Sequence, residues 1–272
     1  MKELNEIRVE DWLERLLARG SYGFALRILE KELPDYTPTA IKRALSRLTK
    51  KGKIVSIYKG YYVILPPQYA LKGILPPALF LDAFMSYLKR PYYVSLLSAA
   101  ALHGASHQQP QEYFVLTNFP VLRPMQKKGL KINYISIRQI PNILLEKRKT
   151  EAGYITISNA ILTACDLIQF EKRIGGLNRA AAVLSELIES IRPSDFTPEL
   201  LHHSHSTALQ RLGFILEQVC HNHLLADVLF SAMAEEGLLL FRIPLKPAAE
   251  TRGYSSENRW KVIVNTSIEI DE

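Results

Sequence analysis

Over the first 65 residues, apolar positions recur first at helical spacing and then at the alternating spacing of strands. Trp12, Leu13, Leu16 and Leu17 share one face of a helix that Gly20 stops, and Leu26, Leu29 and Leu33 mark a second helix ending at Pro34. Thr37 suits an N-cap, with Pro38 at the first helical position, where a missing N–H costs nothing. In the helix that follows, Ile41, Ala44, Leu45 and Leu48 form one apolar stripe. At about 100° per residue, Thr39, Arg43, Ser46 and Lys50 point the opposite way, with Lys42 and Arg47 on the flanks. Gly52 closes this helix. Ile54 to Tyr58 and Tyr61 to Leu65 are β-rich runs separated by Lys59-Gly60, the spacing of a two-residue hairpin. Helix, helix, capped helix and basic-tipped hairpin, in that order, predict a winged helix-turn-helix whose capped helix enters the major groove.

Pro66-Pro67 and Pro76-Pro77 bracket a connector that cannot be helical throughout. Beyond it the pattern predicts helices over 78–88 and 96–102, and strands over 112–118, 131–137 and 154–157. Long helices follow over 158–170, 177–191, 198–221 and 224–236, with a closing strand over 260–265. Strands mixed with runs of helices give an α+β fold class: a DNA-binding winged helix-turn-helix over 1–68, then a larger mixed α+β domain over 69–272.

Charge sharpens the reading of the first part. From Tyr36 to Leu81 there is no Asp or Glu, yet Lys42, Arg43, Arg47, Lys50, Lys51, Lys53, Lys59 and Lys72 all fall there. Concentrated positive charge on a helix and hairpin is the footprint of a duplex-DNA binder, because phosphates attract it whatever the base sequence. Arg43 and Arg47 are the candidates for base edges, since guanidinium groups can bridge guanine O6 and N7. Thr39 and Ser46 share their face. Lys50, Lys51, Lys53 and Lys59 are expected on the phosphate backbone, and Lys42 and Tyr61 complete the predicted contact set. Lys127, Lys128, Lys131 and Arg138 form a second basic region suited to an auxiliary DNA contact, with Lys147, Arg148 and Lys149 beyond it.

The net charge of +7 conceals an asymmetry: residues 1–149 hold 24 Lys+Arg against 11 Asp+Glu, and residues 150–272 hold 10 against 16. The acidic part suits self-association or a protein partner. No apolar run reaches the roughly 18 residues of a membrane helix, and no secretion signal opens the chain, so a cytoplasmic protein is expected. Cys165 and Cys220 are the only cysteines, which excludes a disulfide framework or a four-cysteine zinc site.

Other candidate chemistry is thin. His202, His203 and His205 with Glu199 suggest a metal site, but only His202 and His205 share a side of a helix, with His203 about 100° from His202, so no metal is expected. His103 as a base and Ser98 as a nucleophile lack a Gly-x-Ser-x-Gly elbow and an acid within the motif to orient His103, and the small residues around Ser98 suit close helix packing. Gly175-Gly176 follows a helix without a preceding strand and reads as a turn. We expect no catalytic residue, no cofactor and no enzyme activity.

Tyr92-Tyr93-Val94-Ser95-Leu96-Leu97-Ser98-Ala99-Ala100-Ala101-Leu102-His103-Gly104, placed just after a winged helix ending in Gly60-Tyr61-Tyr62, resembles the signature segment of AbiEi-type antitoxins of type IV toxin–antitoxin systems. Arg211-Leu212-Gly213 and Arg259-Trp260-Lys261-Val262-Ile263-Val264-Asn265 are similar to further segments of that family. The resemblance implies a transcriptional repressor whose winged helix binds repeats in its own promoter. It also implies a larger domain that counters a nucleotidyltransferase-like toxin without a stable complex. The alternative from the residues alone is a one-component, ligand-responsive regulator with no toxin partner.

Overall fold

The computed structural model describes residues 8–70, 75–105, 112–127 and 130–270. The first elements are α1 (Val9–Ala18), β1 (Gly23–Ala25), α2 (Leu26–Glu32), α3 (Pro38–Lys50), β2 (Ile54–Tyr58) and β3 (Tyr61–Ile64). Thr37 caps α3 as the sequence predicts, its Oγ1 accepting from the Ala40 N–H at 3.2 Å, with Pro38 in the first turn. The stripe Ile41, Ala44, Leu45 and Leu48 is buried in a core shared with Trp12, Phe24, Leu29 and Ile54. Burying each such large side chain contributes roughly 1.5–3 kcal/mol. The Trp12 ring meets Phe24 edge-on at 5.2 Å, and Phe24 stacks on Tyr62 at 5.4 Å.

Strand β1 was not anticipated. It pairs antiparallel with β3, giving a three-stranded sheet in the order β1-β3-β2. Gly23 permits this approach: a Cβ there would stand 2.6 Å from the Tyr61 hydroxyl. Gly60, at φ 74°, supplies the left-handed turn between β2 and β3.

The remaining elements are α4 (Pro67–Ala70), α5 (Leu81–Tyr87), β4 (Tyr92–Val94), α6 (Leu96–Leu102), β5 (Glu112–Asn118), β6 (Met125–Lys127), β7 (Leu130–Ile137), β8 (Leu145–Thr150) and β9 (Gly153–Ser158). They are followed by α7 (Ala160–Gln169), α8 (Leu177–Leu187), α9 (Pro198–His203), α10 (Ser206–Gln218), α11 (His223–Glu235), β10 (Ile243–Pro244) and β11 (Val262–Ile263). The fold is mixed α+β. Among the described residues no helix is long and apolar enough to cross a membrane. The single helix expected over 198–221 is two. Ser204 leaves the helical region at φ −80° and ψ 147°, and α10 begins after His205. The break lets Leu200 and Leu201 on one side, and Ala208 and Leu209 on the other, all reach the core.

The chain forms two compact units. The first comprises 1–93, 111–140 and 147–156; the second comprises 94–110, 141–146 and 157–272. This differs from the expected boundary at 68/69. The reason is aromatic: Tyr61 of β3 packs on Phe84 at 5.1 Å and on Tyr87 at 5.0 Å, and Tyr58 meets Phe84 at 5.7 Å. Helix α5 therefore completes the hairpin's packing. In the first unit β5 and β7 pair parallel from Glu112↔Lys131 to Asn118↔Ile137, with β6 antiparallel to β7. In the second unit Val94 pairs parallel with Ile157, and α6, α7, α8 and α10 pack together. The charge asymmetry follows the units: the first holds 24 Lys+Arg against 11 Asp+Glu, the second 10 against 16.

Candidate functional site

Helix α3 presents its cations as the periodicity predicts. Thr39, Lys42, Arg43, Ser46, Arg47 and Lys50 are all exposed, and α3 contains no acid. Arg47 and Lys50 in its last turn also suit the negative end of the helix dipole. A shallow cleft of about 400 Å³ beside the helix is lined by Thr39, Ala40, Arg43 and Arg47, together with Tyr36. Sequence reasoning passed over Tyr36, although its place directly before the Thr37 cap puts an aromatic ring beside both arginines.

Lys53 and Lys59 are exposed on the hairpin. The hairpin tip is anchored, because the Tyr87 hydroxyl donates to the Lys59 carbonyl at 3.1 Å. Lys51 stands 3.7 Å from Glu10, so part of its field is offset by a neighbour, though an exposed pair of this kind contributes little to stability.

Tyr61 must be withdrawn from the predicted contacts. It is 2% exposed, its ring faces the core of the first unit, and burial pushes its phenol well above the ordinary value. Alternation along β3 explains the error, because Tyr62, not Tyr61, sits on the more open side. The Tyr61 hydroxyl has no hydrogen-bond partner among the described residues. Tyr61→Phe is therefore expected to raise the unfolding free energy by about 1 kcal/mol in urea denaturation, since an unsatisfied buried hydroxyl carries a desolvation cost. A fall of similar size would mean that the hydroxyl is bonded. DNA affinity should not move.

The second basic region is less coherent than its sequence. Lys127 is exposed at the end of β6, and Lys128 lies outside the described residues. Lys131 is ion-paired with Glu112, its neighbour across β5 and β7, and Asn133 Nδ2 donates to the other Glu112 oxygen at 2.6 Å. The Lys131 charge is thus already answered, and this position is corrected from a phosphate contact to a strand-to-strand pair. Arg138 is exposed just past the far end of β7, roughly 23 Å from Lys131 at about 3.3 Å per strand residue. Of this group only Lys127 and Arg138 are shown exposed, and they do not form one patch. Lys147 and Lys149 are exposed on β8, with Lys147 Nζ donating to Thr156 Oγ1 at 2.8 Å.

In the second unit residues 94–104 of the signature segment are locked by buried polar contacts. Ser95 Oγ donates to Asp166 Oδ2 at 2.7 Å, and Ser158 Oγ lies 3.2 Å from Ser95 Oγ and 2.6 Å from Thr163 Oγ1. His103 Nε2 donates to the Ser158 carbonyl at 2.8 Å, so that nitrogen carries the proton and is not a free base. Ser98 is 2% exposed. Burial pushes the Cys165 thiol up to about 12 and Cys220 up to about 11, leaving both protonated at neutral pH.

The histidines do not converge. His202 Nε2 is 3.0 Å from Glu236 Oε2, whereas His203 is partly buried and burial lowers its pKa. Among the described residues no three His, Cys, Asp or Glu side chains are placed to hold a metal ion. Gly175 and Gly176, at φ 103° and 102°, form the turn into α8.

The two distant segments noted in the sequence meet each other. A Cβ on Gly213 would lie 2.2 Å from carbon atoms of the Trp260 ring. Trp260 is fully buried, its Nε1 donates to Glu217, and its carbonyl accepts from Gln210 Nε2 at 2.7 Å. Arg259 donates from Nε to Glu217 at 3.0 Å and from Nη1 to Asp227 at 2.6 Å.

Residues 93–218 match the family model described as the AbiEi antitoxin C-terminal domain. The fold is similar to the crystal structure of the RV2827C protein from Mycobacterium tuberculosis, with a TM-score of 0.66 at 16% identity over 94% of this chain and 92% of that one. No curated protein sequence matches the chain. Residues 93–104 of the signature segment, the polar lock and α10 all lie inside the span that is similar to the AbiEi antitoxin C-terminal domain.

Proposed function

We propose that this chain is an antitoxin-type protein and a sequence-specific DNA-binding repressor of its own operon, acting through a winged helix built from α1 to β3. In this reading the second unit counters a nucleotidyltransferase-like toxin encoded alongside, without a stable complex. The observation that carries the DNA-binding half is the exposed, acid-free face of α3, seated on its own core, with the exposed Lys59 hairpin tip in the same compact unit. Arg43 and Arg47 read base edges. Lys50, Lys53 and Lys59 neutralise phosphates. The expected operator is an inverted repeat in the promoter, so self-association on DNA goes with this reading.

Each neutralised phosphate should add about −0.9 to the slope of log affinity against log salt. Lys59→Ala is expected to reduce that slope by about one and to leave sequence preference intact. An unchanged slope would remove Lys59 from the interface.

The division of labour is tested by co-expression with the neighbouring toxin from an unrelated promoter. An Arg43→Ala/Arg47→Ala protein should still rescue growth. If it accumulates normally yet fails to protect, neutralisation works through DNA binding and the two activities are not separable.

A further inference from the structure

The first unit contains a cavity that the DNA-binding reading does not use. After β5 the chain must return along the sheet before β7 can run parallel to it, and the returning segment 119–127 forms one wall. Ile57 and Tyr58 of β2, with Phe84 and Leu88 at α5, form the other; Met125 and Tyr134 also line the space. The volume is about 430 Å³, within the roughly 300–1,000 Å³ of small-molecule pockets. Arg90 holds the returning segment in place through Nη1, which donates to the carbonyls of Asn118 and Pro120.

The chemistry of the lining has a direction. The walls are apolar and aromatic, no acidic residue lines the space, and the exposed Arg123 and Lys127 contribute its charge. Neither cation forms an ion pair with a described acidic residue. Val121 is 68% and Tyr58 is 45% exposed, so apolar surface faces water at residues that a bound molecule would cover. We propose that this cavity is a binding site for a small organic anion with a flat apolar body, such as an aromatic carboxylate. The apolar walls take the body, and Arg123 and Lys127 take the carboxylate. The site stands whether or not α3 binds DNA.

The test is calorimetric titration of the full chain with benzoate, 2-naphthoate and indole-3-acetate, with 2-naphthylmethanol as a neutral body and acetate as an anion without one. At least one aromatic carboxylate should bind at a single saturable site, with no comparable binding by acetate, and 2-naphthylmethanol should bind at least about tenfold more weakly. Arg123→Gln/Lys127→Gln, altering two exposed side chains, should weaken the carboxylate about tenfold or more while the unfolding midpoint stays put. Three results would overturn the site: no saturable binding of any of the three carboxylates up to millimolar concentration, equal affinity for the neutral compound, or an affinity unchanged in the double variant.

Discussion

Trp260→Ala is expected to destabilise the second unit by about 3–5 kcal/mol, the range for removing a fully buried large aromatic side chain. Domains are held by only about 5–15 kcal/mol, so a loss of this size removes a large share of that margin. Three contacts would go together. The indole fills the space against Gly213, meets Phe230 edge-on at 5.3 Å, and gives Glu217 a donor; without it Glu217 keeps only Arg259. The reciprocal change makes the same point from the other side. A methyl on Gly213 would force the ring to move, and overpacking of this kind costs about 1–3 kcal/mol. Denaturant unfolding of both variants measures this. A Trp260→Ala loss below about 1 kcal/mol would mean that the ring is not the keystone of this contact.

The second large effect falls on DNA. Arg43→Ala and Arg47→Ala should each cost about 1–3 kcal/mol on the cognate site and relax discrimination at the base each one reads. The two arginines line the same cleft beside α3, so their losses need not add: the first deletion can free the second to re-aim. Lys42 and Lys50, by contrast, should weaken cognate and scrambled DNA alike. Neither arginine belongs to the buried core stripe, and both are exposed, so the variants should unfold at the parent's midpoint.

These effects differ in how far the sequence announced them. The α3 cap, its stripe and its exposed cations depend on residues within a few turns of each other, and local pattern is enough to read them. Gly52 and Gly60 were legible for the same reason, since each stands where a left-handed turn is required. Strand β1 was not, because three residues, Gly-Phe-Ala, are too short to show alternation and exist as a strand only through pairing with β3. Tyr61 and Lys131 were misplaced by the same limit. Which face of β3 turns inward is decided by Phe84 and Tyr87, more than twenty residues away, and Lys131 meets Glu112 only because β5 and β7 pair in that register. The break at Ser204 arises from two buried faces that one straight helix could not serve. Gly213 and Trp260 were each visible as parts of family-like segments, but their contact spans 47 residues of chain and could be seen only in the fold.

The charge split shows the same lesson in reverse. Its totals were legible by counting, yet the boundary was not. Residues 111–140 and 147–156 belong to the basic unit although they are separated from it along the chain, which sequence order hides. The β2–β3 hairpin, Lys127 and the lysines of β8 are therefore parts of one compact unit, and a fragment ending at residue 68 would expose the Tyr58 and Tyr61 rings that α5 covers.

The most direct test of the DNA-binding claim is fluorescence anisotropy of the full chain with duplex DNA from its own promoter, beside a scrambled duplex, across a salt series. The account predicts tighter binding to the promoter, a slope of several units against log salt, and loss of the promoter preference in Arg43→Ala/Arg47→Ala at an unchanged unfolding midpoint. Equal affinity for both duplexes, or a promoter preference that survives removal of both arginines, would contradict it.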